Sequence, residues 1–467
     1  MTQREALDIL KLGHNVFLTG PAGSGKTFLL NKYIEYLKDK KVKVGITAST
    51  GIAATHINGR TIHSWSGFGI KDKLIEKEMR KLLNSRHLNL RISATKVLII
   101  DEISMLHAHQ LDLVNRICKK IRNNYLPFGG LQVVLCGDFF QLSPVERSGK
   151  KPHFVNESKA WLEMGIKVCY LDKCQHRHKD ENFIKLLNEI RKNNVSVSSK
   201  KLLLERLYKS VNTPIKPVKL HTHNANVDAI NSFELKKIKT KERVYEMTSD
   251  GPKNLVDSLK KWCLAPEGLT VKKGAAVIFV KNNFDRGYIN GTLGKIVGFN
   301  KEDGYPVVKV VSGKRIPAYP ESWKIEEDDE VKAQISQIPL RLAWAITVHK
   351  SQGMTLDIAE MDLSKSFDYG MGYVALSRVR SFNGIKLIGV NRLALQVSKE
   401  VIELDKYLQK MSEKVEKSLG DISVKEIRKR QKSFVELNTD EDESEEDEAI
   451  PTVDIAEDEI PIVDIPF

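Results

Sequence analysis

The sequence predicts an α/β fold with parallel sheets, because short apolar runs repeatedly end in loops that are rich in glycine or carboxylates. The first run, residues 15–19 (NVFLT), leads into a glycine-rich loop and then into residues 28–38, whose apolar positions recur with helical period. Residues 97–100 (VLII) and 132–136 have the pattern of strands buried in a parallel sheet. From residue 275 the pattern changes to short strands and tight turns, which predicts a β-rich insertion.

The glycine-rich loop, residues 20–27 (GPAGSGKT), matches a phosphate-binding loop in the context that such a loop requires, between a strand and a helix. Glycines let backbone N–H groups close around phosphates, and the N-terminus of the helix adds partial positive charge. We expect Lys26 to reach the β and γ phosphates of ATP and Thr27 to hold Mg²⁺. The nucleotide-binding residues predicted from this loop are Gly20, Gly23, Ser24, Gly25, Lys26 and Thr27.

Two carboxylates, Asp101 and Glu102, follow the second apolar run and therefore belong at the carboxyl edge of the sheet, beside the phosphate-binding loop. We expect Asp101 to coordinate Mg²⁺ through its shell and Glu102 to polarise the attacking water. Gln141 follows the third run and is placed to sense the γ-phosphate. The alternative is that the two carboxylates are solvated caps of the next helix.

Three further side chains are predicted to complete the ATP site. Gln3 lies on an amphipathic helix seventeen residues before Gly20, where its amide could pair with the adenine edge, although a surface glutamine is the commoner alternative. The spread-out charge of phosphoryl transfer needs planar donors, and Arg177 and Arg378 are the candidates. If both reach the γ-phosphate from opposite lobes, the nucleotide joins two domains and hydrolysis releases them. For either arginine, a surface salt bridge is the alternative.

Composition points to a polyanionic partner. The 467 residues carry a formal net charge of +14, and since residues 438–467 contain thirteen acidic and no basic residues, the first 437 carry +27. Such a body attracts nucleic acid by releasing counterions, with lysine enrichment for solubility as the alternative. The five cysteines form no CxxC pair, so neither a zinc ribbon nor a disulfide framework is indicated. No apolar run approaches the ~20 residues that span a bilayer, and we expect a cytoplasmic protein, nucleoid-associated if bacterial, with no membrane partner.

Residues 347–380 indicate what the ATP is used for. They contain TVHKSQGMTLD and YVALSRVR, which place a glycine-containing turn about one helix and one strand before Arg378. This is the layout of an ATPase that tracks along a polymer. Hydroxyls, the backbone N–H groups of Gly51 and Gly353, and His349 or Lys350 can hold phosphates without reading sequence.

Together with TASTGIAA, TIHSW, DEISM, PFGGLQVVLCGDFFQLSPV and NGTLGKIVGF, these motifs resemble, in order and spacing, the petite integration frequency (PIF-type) family of superfamily-one 5′-to-3′ DNA helicases. The resemblance covers residues 1 to about 395. It implies two RecA-like P-loop motor lobes that bind ATP and Mg²⁺ in the cleft between them. It also implies movement 5′ to 3′ on single-stranded DNA and unwinding of duplexes or other DNA structures in replication, repair or recombination, with telomere maintenance as a further role in the family. The implied partners are single-stranded DNA and junctions of single and double strands.

The resemblance also divides the chain. It implies a first lobe at residues 1–180 with a small wedge insertion at about 64–92, and a second lobe at 181–395 with a small β-barrel insertion at about 286–338. Beyond it the sequence predicts a helical extension at 396–437 and a disordered acidic tail at 438–467.

Carried over residue by residue, the resemblance assigns hydrolysis to Lys26, Glu102, Gln141, Arg177 and Arg378, and it adds Gly353 to the nucleotide site. One departure is His176-Arg177-His178, which replaces the family's aromatic-Arg-Gln and leaves the glutamine without a counterpart. Trp65 and Phe68 could stack on a base or split the duplex, with core packing as the alternative. The residues that the resemblance implies for DNA contact are Thr47, Ser49, Thr50, Gly51, Thr61, His63, Ser64, His349, Lys350, Ser351 and Thr355.

The acidic tail repeats IPTVDI as IPIVDI ten residues later and ends in DIPF, from Asp464 to Phe467. This ending resembles the tip of bacterial single-stranded-DNA-binding protein and implies docking of Phe467 on repair and replication partners, with simple tail composition as the alternative. The tail could instead lie in the DNA channel as an internal competitor. Two rival functions are the motor subunit of a RecD-type exonuclease complex and a DNA-bound scaffold switched by ATP. We expect a monomer.

Overall fold

The computed structural model describes residues 1–69, 71, 73–141, 144, 153–172, 180–211, 213, 215–221, 226–327 and 330–439. Two parallel sheets, one in each lobe, confirm the predicted α/β fold. Within the described ranges, no helix is both long and apolar enough to cross a bilayer. Arg177, its two histidine neighbours and the tail from residue 440 lie outside these ranges.

The first lobe is a six-stranded parallel sheet with the order β3-β2-β4-β5-β1-β6. Its elements are α1 (Gln3–Lys11), β1 (Val16–Thr19), α2 (Lys26–Asp39), β2 (Val44–Ala48), α3 (Gly51–His56), β3 (Arg60–Thr61), α4 (Ile62–Trp65), α5 (Glu76–Leu83), α6 (Arg86–Ala94), β4 (Val97–Asp101), α7 (Ala108–Ile121), β5 (Gln132–Cys136), α8 (Lys159–Glu163) and β6 (Lys167–Tyr170). Helices α5 and α6 fall in the region predicted as the wedge.

Helices cover both faces of this sheet, which is why its central strands are apolar throughout. Strand β1 alternates between two cores: Val16 and Leu18 pack with α1 and α2, whereas Phe17 packs with the layer that contains α7. All four residues of β1 and all five of β4 and β5 are buried. Because these strands are parallel, the loops that follow β1, β4 and β5 meet at one edge of the sheet.

The second lobe begins with α9 (Glu181–Arg191), α10 (Val197–Leu204), β7 (Val218–His221) and α11 (Val227–Lys236). A long insertion follows, which consists of β8 (Glu242–Glu246), β9 (Thr248–Asp250), α12 (Lys253–Trp262), β10 (Gly268–Lys272), β11 (Ala276–Phe279), β12 (Leu293–Phe299), β13 (Pro306–Val310), β14 (Arg315–Pro317), β15 (Glu321–Glu327), β16 (Glu330–Gln337) and β17 (Leu340–Leu342). The lobe ends with β18 (Ala345–Thr347), β19 (Ala359–Leu363), α13 (Met371–Leu376) and β20 (Ile385–Val390), and its parallel sheet has the order β18-β7-β19-β20.

The insertion is larger than the predicted span of about 286–338. Its strands form three antiparallel sheets, with the orders β14-β13-β12-β11-β17, β15-β16-β9 and β10-β8. Strand β11 pairs with β12 on one side and β17 on the other, so antiparallel pairing extends on both sides of the predicted segment.

Two C-terminal helices, α14 (Lys399–Gly420) and α15 (Val424–Asn438), lie in the region predicted as a helical extension and pack back on the first lobe. The Ser412 hydroxyl accepts a hydrogen bond from the backbone N–H of Tyr170 at the end of β6 (3.0 Å). The Phe434 ring covers Gly13, where a Cβ would lie 2.4 Å from a ring carbon. The extension is therefore part of the surface of the first lobe, a placement that the sequence did not predict.

Candidate active site and nucleic-acid interface

The phosphate-binding loop follows buried strand β1 and has the backbone that its glycines allow. Gly23 and Gly25 have φ of +81° and +87°, in the left-handed region that favours glycine. A Cβ at Gly25 would lie 2.1 Å from the Gln3 amide nitrogen, which donates to the Ser24 carbonyl (3.3 Å). Gln3 is thus held against the loop and is not a free surface side chain. Its predicted contact with adenine remains a prediction.

Polar groups in this loop fit a phosphate ligand. The Lys26 ammonium donates to the carbonyls of Gly20 (2.8 Å) and Pro21 (3.1 Å), so it lies over the loop at the start of α2. The buried Ser24 hydroxyl has no hydrogen-bond partner in the part of the chain that the structure describes. Thr27 lines a cleft together with Asp101, and their oxygens are the ligand type that Mg²⁺ prefers. The loop and its neighbours therefore fit ATP and Mg²⁺.

At the end of β4 Asp101 is buried and Glu102 is half-buried without a side-chain cap hydrogen bond, so the alternative of two solvated helix caps is wrong. Asp101 is 6% exposed and accepts a hydrogen bond from the Glu102 backbone N–H (2.8 Å). Burial raises the pKa of Asp101 above its usual value. Burial and the neighbouring Asp101 charge raise the pKa of Glu102 to about 7, against the opposing effects of Lys26 and Arg378. A carboxyl with such a pKa can exchange a proton near neutral pH.

Arg378 enters this site from the second lobe, immediately beyond α13. It is 4% exposed, and its guanidinium donates to the Val374 carbonyl (3.1 Å) and to the Gln141 side-chain oxygen (3.4 Å). The same cleft is lined by the phosphate-binding loop, Glu102, Gln141 and Arg378. The structure thus brings together Lys26, Glu102, Gln141 and Arg378, and the alternative of an exposed salt bridge is wrong for Arg378. Arg177 lies outside the described residues.

Two side chains at this cleft escaped the sequence reasoning. Gln352 is buried and lines the cleft beside Thr27 and Glu102. The Tyr373 hydroxyl accepts a hydrogen bond from the backbone N–H of Ala22 in the phosphate-binding loop (3.3 Å). For Gln352 a signal existed, because it lies between two assigned positions in HKSQG. For Tyr373 there was none, because only the tertiary fold brings α13 to the loop.

The insertion also reaches the first lobe at this cleft, which His56 and Asn290 help to line. The Asn290 amide donates to the His56 Nε2 at the end of α3 (3.0 Å), and burial lowers the pKa of His56 to about 4, so the ring is a neutral acceptor. The Asn290 carbonyl accepts from the Thr355 backbone N–H (3.3 Å). Asn290 therefore links a predicted DNA-contacting segment to the first lobe.

Several residues predicted to contact DNA are instead buried and hydrogen-bonded within the protein. Their hydroxyls hold the loops in shape, so the prediction that these side chains contact DNA is corrected. Three of the hydroxyls donate to backbone carbonyls: Thr47 to Ile99 (2.6 Å), Ser49 to Glu102 (2.5 Å) and Ser351 to Val348 (2.8 Å). The fourth, that of Thr61, accepts from the Ser64 backbone N–H (3.2 Å). Residues that remain at least partly accessible are Thr50, His63, Ser64, His349, Lys350, Gly353 and Thr355.

The structure decides between base stacking and core packing for the two aromatic residues considered in the sequence. Trp65 and Phe68 are buried in the core of the first lobe, so core packing is right for both and base stacking is wrong. Trp262, at the end of α12 in the insertion, lies instead on Gly51, where a Cβ would be 1.9 Å from a ring carbon. Half-buried Trp262 thus covers Gly51, one of the predicted DNA-contacting positions.

Comparisons with known proteins point to one family of proteins. The model of the PIF1-like helicase family matches residues 2–201, and that of the DNA helicase Pif1 2B domain matches residues 254–299. The chain is 43% identical to the ATP-dependent DNA helicase Pif1 of Psychrobacter sp., over 93% of this chain and 75% of that protein. It is 28% identical to Bacteroides sp. Pif1 in complex with ADP-AlF4, with a TM-score of 0.72 over 87% of this chain and 96% of that one. Bacteroides Pif1 bound to single-stranded DNA gives 29% identity and a TM-score of 0.57 at the same coverage.

Proposed function

The chain belongs to the PIF1-like helicase family and is an ATP-dependent DNA helicase, and we propose that it moves 5′ to 3′ along single-stranded DNA to open duplexes at junctions. One observation carries the proposal: Arg378 of the second lobe lies against Gln141 of the first, in the cleft that also contains Glu102. A site assembled from two lobes couples hydrolysis to their relative position.

Within this cleft each residue has a proposed task. Lys26 binds the β and γ phosphates, while Thr27 and Asp101 would hold Mg²⁺, which neutralises phosphate charge when bound. Glu102 orients the attacking water and accepts its proton, as its raised pKa allows. Arg378 stabilises the charge that spreads over the γ-phosphate oxygens during transfer. Arg177 is proposed to do the same from its own position, on the strength of the family resemblance.

DNA contact is proposed for the accessible residues of the predicted set. Thr50, His349, Lys350 and Thr355 offer hydroxyl, imidazole and ammonium groups, which hold phosphates without reading bases. The affinity of these residues for single-stranded DNA should therefore depend little on its base sequence. Trp262 lies on Gly51, and we propose that a strand bound at Gly51 displaces the ring.

Protein partners and location are also proposals. Asp464 to Phe467, outside the described residues, is proposed to dock on partners of single-stranded-DNA-binding protein tails. The acidic residues before it are the candidate for an internal competitor of DNA. We expect a monomer in the cytoplasm, nucleoid-associated if the source is bacterial.

Single-turnover unwinding tests the proposal directly. The substrates are two duplexes of the same sequence, one with a 5′ single-stranded overhang and one with a 3′ overhang. We expect ATP-dependent strand separation only with the 5′ overhang, and none with Lys26→Ala, which lacks the phosphate contact but keeps the loop. Unwinding from the 3′ overhang alone would refute the polarity, and a change of DNA affinity on ATP binding without ATP turnover would favour the switched scaffold.

A further inference from the structure

Arg191, the last residue of α9, joins both lobes and the C-terminal extension through one buried guanidinium. Its Nη1 donates to both carboxylate oxygens of Asp138 (3.0 and 2.9 Å) and to the Tyr373 hydroxyl (3.0 Å). Its Nη2 donates to the Tyr170 hydroxyl (3.0 Å) and to Asp405 (3.1 Å). The side chain is only 5% exposed. One cation therefore has partners on two carboxylates and two tyrosines from four separate segments.

On the side of the first lobe, Arg191 holds the loop that carries Gln141. Asp138 lies three residues before Gln141 and also accepts the Phe140 backbone N–H (3.2 Å). The guanidinium carbon lies 3.9 Å from the centre of the Phe140 ring, within cation–π distance. The backbone just before Gln141 is thus held by two contacts of Arg191, one with the Asp138 carboxylate and one with the Phe140 ring.

On the side of the second lobe, Arg191 holds the helix that leads to Arg378. Tyr373 lies on α13 and accepts from the Ala22 backbone N–H as well as from Arg191. The next residue, Val374, offers its carbonyl to the Arg378 guanidinium (3.1 Å). Arg191 therefore bonds directly to the loop that carries Gln141 and to the helix that precedes Arg378, although it contacts neither of these two residues.

The fourth partner, Asp405, comes from α14. Its oxygens accept hydrogen bonds from the Tyr170 hydroxyl (2.9 Å) and the Gln409 amide (2.7 Å), as well as from Arg191. A buried cation between two carboxylates shifts towards the remaining one when its partner is removed, because an uncompensated buried charge is costly. Helix α14 lies beyond both segments that the family models match.

We propose that Arg191 is a positioning residue for the Gln141–Arg378 pair, and that Asp405 makes α14 a working part of the ATPase, beyond its packing on the first lobe. This inference rests on the ATP hydrolysis proposed above. The rival explanation is that the network only fastens α14 to the lobe. The two differ in what they predict for turnover at saturating ATP.

The test compares Asp405→Ala with Ser412→Ala in the full chain. Ser412 is the matched control, because it fastens the same helix to the same residue, Tyr170, without reaching Arg191. DNA-stimulated ATP hydrolysis is measured over a range of ATP concentrations, alongside thermal unfolding. We expect Asp405→Ala to lower kcat about tenfold with KM for ATP within about twofold, and Ser412→Ala to keep both.

Two near-isosteric variants keep the test open if Asp405→Ala does not fold. Tyr373→Phe removes one hydroxyl and Asp405→Asn removes one charge, and each is expected to lower kcat in the same way as Asp405→Ala. Equal losses in Ser412→Ala, or unchanged kcat in both near-isosteric variants, would overturn the inference. If the wild-type chain hydrolyses ATP and Lys26→Ala does not, the proposed function stands even when this inference fails.

Discussion

Truncation of Trp262 is expected to tighten the binding of single-stranded DNA. The ring lies on Gly51, a proposed phosphate contact, and we expect bound DNA to displace it. If the contact covers about 70 Å², roughly a third of a tryptophan, its burial is worth about 1.7 kcal/mol at about 25 cal/mol per Å². Because Trp262→Ala has no ring to displace, its Kd for single-stranded DNA should be up to about 20-fold lower than that of the wild type.

The assay is fluorescence anisotropy with a labelled oligothymidine at fixed salt, because phosphate contacts make affinity depend on ionic strength. Trp262→Phe should show a smaller effect, since it keeps a flat ring. Phe233→Ala, which removes an exposed aromatic from α11, is the matched control and should leave Kd unchanged. A Kd for Trp262→Ala within twofold of the wild type refutes the reasoning. Weaker binding would mean that the ring stacks on a base instead of blocking the path.

Three other predictions test the remaining parts of the site. Arg378→Ala should lower kcat for ATP by about a thousandfold or more with a smaller change in KM, and a loss below tenfold would contradict its role at the γ-phosphate. Gln3→Ala should reduce the preference for ATP over GTP in steady-state hydrolysis, whereas an unchanged preference would mean that Gln3 only braces the loop. Deletion of residues 441–467 should tighten DNA binding at low salt but not at high salt, and equal affinities at low salt would exclude the internal competitor.

Local patterns named residues that the fold does bring into one cleft, because strand, loop and helix follow one another in the chain. Lys26 and Asp101 could be placed from the residues beside them, and Arg378 from its motif. The prediction of DNA-contacting residues was less reliable, since one motif contains both side chains that face solvent and side chains that face the core. Thr47 is an example: its hydroxyl donates to the Ile99 carbonyl of β4, a bond that exists only because β2 pairs with β4. Trp262 carried no signal, because its position on Gly51 depends on how the insertion docks.

A short link joins the proposed ATP site to the proposed DNA-contacting residues. Beyond the predicted DNA-contacting residues, Leu356 donates its N–H to the Arg378 carbonyl (2.7 Å) and its carbonyl accepts from the Arg380 N–H (3.0 Å). Leu356 and the facing Val379 are fully buried, so this bridge cannot slide without disturbing the core.

Thr355, one residue before the bridge, is tied through Asn290 to His56 of the first lobe. Any movement of Arg378 relative to Gln141 carries the backbone at Leu356 with it, because two hydrogen bonds and a packed core join them. The residues before Leu356 that are proposed to contact DNA would then shift relative to the first lobe, and the Asn290–His56 contact would have to absorb that shift. The proposed coupling therefore needs no long pathway, because Arg378, the proposed γ-phosphate contact, and the residues proposed to hold the strand share one buried bridge.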